Sequence, residues 1–392
     1  MNILYLTEHS PLVQGGCGGA TRSRALWKAL CEIGKVTTVV FDGGNPQLDS
    51  HDSNERISHL RLPDFYCGWT HREPVWLWGL LSGRIDRAFA GRDEVLRGLG
   101  LAGAGFDVVV VRYYWVLART AAWKIAPCYL DFDDLPFDFH SATDWRDLTG
   151  LALLKEKFRV WLRQRVLCRK CRAVWLSNAE QRRRIQCHGR PAVCLPNIAQ
   201  EPSSTFSVAR SDEGFLLSVG AMGYRPNREG LLWFLENVWP KVRERYPSLV
   251  FKVVGRDFPD DLRAYCQTFA GVEVLGFVEN LENVYAPCLG LVVPLFGGGG
   301  TCIKVIEAQL HGVKVFATPV AVRGFSPTEI DRSCMAVFET SDEFVQQFSS
   351  WQSQPVDARQ LVRHRILYFA KERNSPIWFA RIVRQTLLLE ET

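Results

Sequence analysis

The sequence predicts an α/β protein of two domains, each a parallel sheet flanked by helices, with a cleft between them. Three observations lead there. At 392 residues the chain is too long for one ordinary hydrophobic core. Each half carries a glycine-rich turn where a strand-like run gives way to a helical one, Gln14–Ala20 (QGGCGGA) in the first and Gly297–Gly300 in the second. Runs such as Asp107–Val111 (DVVVV) and Gly290–Leu295 are almost wholly apolar, as strands buried on both faces of a parallel sheet must be.

Composition narrows the class. With 47% hydrophobic and 23% charged residues the chain reads as a soluble globular protein. No run of about 18 apolar residues would span a bilayer, and the start, MNILYLTEH, has no basic segment or cleavage site of a secretory signal. A net charge of +5 does not argue for nucleic acid as a partner. Arg159, Arg163, Arg165, Arg169, Lys170 and Arg172 crowd one segment, followed by Arg182, Arg183 and Arg184. They form a solvated helix face or a contact with anionic lipid or a polyanionic acceptor. The 12 cysteines do not suggest a disulfide framework in so long a chain. Cys168 and Cys171, with Cys187, His188 and Cys194, bring zinc to mind, but the first pair lies in a helical, arginine-rich run. No metal site is expected.

In chain order, Asn2–Thr7 is the first strand, the glycine turn follows, and a helix runs from about Thr21 to Ile33. Lys35–Phe41 is the next strand and ends at Asp42. A dinucleotide reading of this βαβ start meets poor glycine spacing: Gly16 and Gly18 fit, but Thr21 takes the third position. Residues 62–100 mix Trp69, Trp76 and Trp78 with Arg72, Arg84, Arg87 and Arg92, which suits either an acceptor surface or a cover for the core. The strand Cys128–Phe132 runs into Asp131, Asp133 and Asp134. Acids at the carboxyl end of a parallel strand face the ligand crevice. They could bind acceptor hydroxyls, act as a base (Asp133 being the candidate), hold magnesium, or cap a helix or turn. A long amphipathic helix is expected at about 151–172, and the polar run Gln200–Asp212 is the linker by composition. Strands at Phe215–Val219, Val250–Val254, Val272–Leu275 and Val313–Ala317 build the second sheet, and the chain is helical from Asp342 onward.

The stretch Pro294–Gly312 carries the chemistry. A strand, a glycine loop and a helix starting near Thr301 expose backbone N–H groups and the positive end of a helix dipole, an arrangement that binds anions. Lys304 in the first turn can reach a diphosphate, and Glu307 one turn on can accept from a ribose. The same pair at i, i+3 could instead be a surface ion pair.

The string GGGGTCIKVIEAQLHGVKVFATPVAVRGF, from Gly297 to Phe325, resembles the sugar-nucleotide motif of family 4 glycosyltransferases, G-G-T-x-x-K-x-x-E-A-x-x-x-G-x-P-V-x-x-T. Ser218–Pro240 looks like the start of the C-terminal domain in the same enzymes. The resemblance covers most of 215–325 well and the first half in outline. It implies the GT-B fold, two Rossmann-like domains facing a central cleft: residues 1–198 for the acceptor domain, completed by a C-terminal helix at about 375–392, and 199–374 for the nucleotide-sugar domain. It further implies transfer of a sugar from a nucleotide donor to a hydroxyl of a glycan, lipid-linked or small-molecule acceptor, with retention and without an obligatory metal or other cofactor. Residue by residue, it assigns Lys304 to the leaving diphosphate, Gly299, Gly300, Thr301 and Cys302 to the phosphate loop, and Glu307 to the ribose. The family's partner arginine is not plainly matched, Ala221 standing near its place, and Arg225 or Arg228 nearby is taken for it. Phe277 and Val278 go to the base, and Gly16 and Gly18 to the facing loop. The sequence departs from the pattern at Gly299, where many members carry a glutamate that contacts the donor sugar. It also has no plain match to the usual acceptor-side histidine, for which His9 and His140 are the candidates. A nucleotide-sugar epimerase and an inactive binding or assembly protein of the same fold are the rival readings. The expected setting is cytoplasmic, peripheral on the inner face of a membrane with anionic lipid as partner.

Overall fold

The computed structural model of the protein describes residues 1–12, 18–42, 50–51, 55–60, 91–138, 147–185, 190–204, 206 and 214–388. Two sheets organise them. The first runs β3-β4-β2-β1-β5-β6-β7-β8, from β1 (Asn2–Thr7), β2 (Lys35–Val40), β3 (Ser50–His51), β4 (Glu55–His59), β5 (Val108–Arg112), β6 (Cys128–Asp131), β7 (Ala173–Leu176) and β8 (Ala192–Cys194). All of its pairings are parallel except β3 with β4. The second, wholly parallel, runs β11-β10-β9-β12-β13-β14. Its strands are β9 (Phe215–Val219), β10 (Val250–Val254), β11 (Val272–Gly276), β12 (Cys288–Val293), β13 (Val315–Ala317) and β14 (Ala336–Val337).

The sequence explains both. The four valines of β5 and every residue of β12 are buried, because helices cover both faces of each sheet. The helix Arg225–Asn237 starts with Pro226 in its first turn, where a missing N–H costs nothing. It then buries Leu231, Phe234 and Leu235, spaced i, i+3, i+4, with Phe234 on Phe251 of β10 at 4.9 Å between ring centroids.

The chain crosses between the domains twice, after Cys194 and again after the helix Val356–Arg373. Asn374 ties the crossings together. Its Oδ1 accepts from the Ala199 N–H at 2.7 Å and its Nδ2 donates to the Ala199 carbonyl at 3.1 Å. The last helix, Pro376–Leu388, returns to the first domain. Phe379, Val383 and Leu387 (1%, 0% and 4% exposed) pack with Ile3, Tyr5, Leu26 and Leu30. Trp175 donates its indole N–H to Thr386 at 3.2 Å. Each such apolar side chain contributes about 1.5–3 kcal/mol by burial.

The helix Gly150–Lys170 is less simply basic than its sequence suggests. Its second half buries Val160, Leu162, Val166, Leu167 and Cys168 in the first domain. Its first half stands out, with Leu151 and Leu154 81% and 64% exposed and Phe158 and Trp161 about half exposed. Cys168 and Cys171 are core residues, and Cys171 Sγ bonds the Leu167 carbonyl at 3.3 Å. Among the described residues no group of three or more His, Cys, Asp and Glu could hold a metal ion. Cys187, His188, His140, Gly16, Trp69, Trp76 and Trp78 lie outside the described residues. No described helix is long and apolar enough to cross a membrane.

Candidate active site

Gly18 and Gly19 on one side and Gly297–Gly300 on the other open on one cavity of ≈ 520 Å3 between the domains, within the usual range for ligand sites. On the second-domain side, β12 delivers the chain into the loop, and the helix Ile303–Leu310 begins two residues later than the sequence suggests. Its N-cap, Cys302, makes no side-chain cap, so the first-turn N–H groups are left for whatever enters the cavity.

Lys304 and Glu307 both line the cavity, each half-buried at its surface. They form no salt bridge, so the ion-pair reading fails. Lys304 reaches back beneath the end of β9, where Nζ donates to Asn227 Oδ1 at 2.8 Å. Asn227 is itself held by its Nδ2 on the Ala221 carbonyl at 2.9 Å. Burial lowers the lysine pKa against the opposing pull of Cys302 and Glu307. Burial also pushes the Glu307 carboxyl up to about 7, with Lys304 opposing. An under-neutralised cation and a carboxyl poised near neutrality, side by side at a helix start, suit a ligand that brings phosphate and hydroxyl groups.

The first-domain wall comes from the carboxyl ends of β5 and β6. Asp131 is fully buried and takes Arg22 through both oxygens, at 2.8 and 2.6 Å. Arg22 also donates to Asn197 Oδ1 at 2.6 Å and to the Leu195 carbonyl at 2.9 Å. Arg112 approaches Asp131 at 3.3 Å and bonds Asp133. Two residues here carry left-handed backbone without being glycine, Tyr113 (φ 72°) and Asp133 (φ 60°). Such conformations cost about 1–3 kcal/mol and persist where surrounding contacts over-determine them. Tyr113 stacks on Trp115 at 4.5 Å between ring centroids, with His9 edge-on to it at 5.8 Å, and Trp115 donates to Glu8. These four residues form an aromatic and polar shelf along the cavity.

Of the residues marked from sequence, Gly18, Asp133, Gly299, Gly300, Thr301, Cys302, Lys304, Glu307 and His9 line the cavity. A methyl on Gly18 would press on Ile303, 3.1 Å from its Cδ1, so the facing turns touch across the domains. Several roles need correction. Asp133 is not a free base, because the Arg112 guanidinium occupies its carboxylate. Thr301 is a fastener between domains: its hydroxyl donates to the Ser177 carbonyl at 3.3 Å and its carbonyl accepts from Asn197 at 3.0 Å. Arg225 and Arg228 are not in the cavity wall. Arg225 sits at the outer start of its helix, where Asp147 at 3.0 Å and Glu229 at 2.8 Å hold it, and Arg228 is exposed. Arg256 and Arg323 line the cavity instead. Phe277 points outward, 60% exposed, and Val278 packs on the second-domain core, while Leu281 supplies the apolar wall. Sequence reasoning missed Glu8, Tyr113, Trp115, Arg256 and Arg323. The only signal for Glu8, Tyr113, Trp115 and Arg256 was position, since each lies just beyond a strand's carboxyl end, and Arg323, six residues after β13, had none.

Comparison with known proteins agrees with this geometry. Residues 213–351 match the family described as Glycosyl transferases group 1. No curated protein sequence matches significantly. The whole chain is similar in structure to sucrose-phosphate synthase from Thermosynechococcus elongatus (TM-score 0.69, 15% identity, all of both chains). It is also similar to a UDP-forming α,α-trehalose-phosphate synthase from Burkholderia xenovorans in complex with glucose-6-phosphate (TM-score 0.66, 15% identity, 98% of this chain and 99% of the other). A third is the trehalose-6-phosphate protein from E. coli bound with UDP-2-fluoro glucose (TM-score 0.64, 10% identity, 98% of each chain). The matched span holds the glycine loop, Lys304 and Glu307. The second domain is therefore similar to that of group 1 glycosyl transferases, and the chain as a whole has the GT-B fold.

Proposed function

We propose that the protein is a retaining glycosyltransferase that moves a sugar from a nucleoside-diphosphate donor to a hydroxyl of a glycan-type, lipid-linked or small-molecule acceptor. The observation that carries this is the single cavity with unlike walls. On one wall an uncapped helix start, Lys304 and Glu307 suit the diphosphate and ribose. On the other the Glu8–His9–Tyr113–Trp115 shelf suits an acceptor, since sugar faces rest on aromatic rings. Similar structures bound with UDP-2-fluoro glucose and in complex with glucose-6-phosphate support a donor and an acceptor of those classes. The difficult step is departure of the diphosphate as the sugar becomes oxocarbenium-like. Fixed N–H dipoles and Lys304, joined by Arg256 or Arg323, stabilise the growing negative charge in the cavity between the domains. With that much positive charge supplied by the chain, no obligatory metal is needed. The leaving phosphate oxygen takes the acceptor proton, which suits a site where Asp133 is already paired.

Release of nucleoside diphosphate, measured with and without acceptor over a panel of nucleotide sugars, tests the reading. Acceptor-dependent release supports transfer. Acceptor-independent release with formation of free epimerised sugar would point to an epimerase, and no release to a binding protein.

We further propose a cytoplasmic location with peripheral attachment to anionic lipid. The buried cysteines Cys128, Cys266 and Cys288 are free thiols, which suits a reducing compartment. Leu151, Leu154, Phe158 and Trp161 stand out beside Lys155, Lys157 and Arg165, with Arg165 over the Trp161 ring at 5.3 Å. Co-sedimentation with anionic vesicles is expected to weaken as salt rises. Equal recovery on neutral vesicles would refute it.

A further inference from the structure

We infer that Asp134, from the first domain, reads the hydroxyls of the donor sugar at the point where the glycine loop of the second domain offers no side chain, and that Gly299 is a glycine because this carboxyl occupies the space a side chain there would fill. The inference rests on the nucleotide-sugar reading above and takes it further, to the residue that chooses among sugars.

The geometry is direct. A Cβ built on Gly299 would lie 2.8 Å from Asp134 Cγ and 3.0 Å from its Oδ2. One built on Gly300 would collide with Asp134 Oδ1. Gly300 has a second reason to be glycine, its left-handed φ of 65°, whereas Gly299 has none. Space held by a residue of the other domain is what keeps position 299 bare. A side chain at 299 would therefore point at the volume that the Asp134 carboxyl fills.

The three acids at the end of β6 are used differently. Asp131 and Asp133 are taken by Arg22 and Arg112. Among the described residues no hydrogen bond reaches the Asp134 carboxyl, although it lines the cavity. Burial, reinforced by the charge of Asp133 and opposed by Arg323, raises its pKa well above the usual carboxylate range. The neutral form is thereby favoured over the ionised one, and it has one O–H to donate and oxygens to accept. A neutral acid suits a sugar that offers hydroxyls of both roles. An ionised one would repel the diphosphate, whereas a protonated one can stand close to it. The place fits as well. A sugar joined to a diphosphate held at Lys304 lies next along the cavity, between the glycine loop and the first-domain wall.

The test separates the sugar from the diphosphate. UDP-glucose, UDP-N-acetylglucosamine and GDP-mannose are titrated calorimetrically, and the tightest binder is compared with its own nucleoside diphosphate. The proteins are the wild type, Asp134→Asn, Asp134→Ala, and Asp134→Ala combined with Gly299→Asp. In Asp134→Ala the diphosphate is expected to keep its Kd within about twofold while the nucleotide sugar weakens tenfold or more. Asp134→Asn, neutral and of the same shape, should lose less. The double variant, which brings a carboxyl to the same volume from the opposite domain, should recover much of the loss. Parallel weakening of both ligands, or unchanged sugar affinity in Asp134→Asn and Asp134→Ala, overturns the inference while leaving the nucleotide-sugar reading intact. If the wild type binds none of the donors or diphosphates, that reading falls and the inference falls with it.

Discussion

Replacing Lys304 by methionine should separate function from stability, because the residue costs the fold what it gives the site. Among the described residues its ammonium has one hydrogen-bond partner, the neutral Asn227 Oδ1 at 2.8 Å, and no carboxylate within salt-bridge reach. Burial lowers its pKa, which means the charged form is worse off folded than unfolded. A lysine of this kind binds fewer protons folded than unfolded in the window below its normal pKa of 10.5, so its contribution to stability rises with pH there. Methionine keeps the apolar stem and removes the charge, so the melting temperature of Lys304→Met should stay level or rise at neutral pH, and the pH slope should flatten. Catalysis should go the other way. A charge-assisted hydrogen bond to the leaving diphosphate is worth about 1.5–3 kcal/mol, and it strengthens as charge develops, so kcat should fall roughly 10- to 150-fold and kcat/KM at least as much. Thermal melts from pH 6 to 10 and steady-state kinetics at saturating donor give both readouts. Wild-type kcat in a folded variant would refute the role in departure. A large drop in melting temperature would refute the claim that the site carries an uncompensated charge.

Other expectations follow from the same contacts. Glu307 titrates near 7 in the free protein, and a carboxylate is the better ribose acceptor, so donor affinity should fall as pH drops through about 7. In Glu307→Gln that dependence should vanish, and persistence of it in the calorimetric Kd would count against the ribose assignment. Arg22→Met leaves Asp131 buried with only Arg112 nearby, so it should cost about 3–5 kcal/mol, read from denaturant midpoints. A loss under about 1 kcal/mol would show that Arg112 suffices. Phe379→Ala should cost about 3–5 kcal/mol of cavity and transfer energy, and no change in melting would mean that the last helix is not seated on the first domain.

How much of this the sequence carried depends on the kind of signal. Strand and glycine-loop positions were legible because a parallel sheet demands unbroken apolar runs, and because Lys304 and Glu307 follow the loop at fixed helical spacing. The arginines of the cavity wall were not legible. Arg225 has the right neighbourhood in sequence, but a helix start can aim a side chain outward, and Asp147 from the other domain holds it there. Among Asp131, Asp133 and Asp134 the sequence showed three acids at a strand end and could not apportion them. That division depends on Arg22 and Arg112, which reach β6 from distant parts of the chain. Tyr113 and Trp115 were equally hidden, since a stacked pair on a strained turn has no periodicity to announce it.

The returning helix also sets an order of events during synthesis. The apolar seat made by Ile3, Tyr5, Leu26, Leu30 and Trp175 is synthesised before the second domain, but its cover, Phe379, Val383 and Leu387, comes after all of it. At 5–20 residues per second, the stretch from Cys194 to Leu388 takes roughly 10–40 s to make. Throughout that interval the nascent first domain presents an open greasy groove and an indole N–H lacking its Thr386 partner. A chaperone or a neighbouring nascent chain has that long to find it. A first-domain fragment cut at the interdomain crossing would carry the same exposed groove permanently, unless residues 376–388 were supplied in trans.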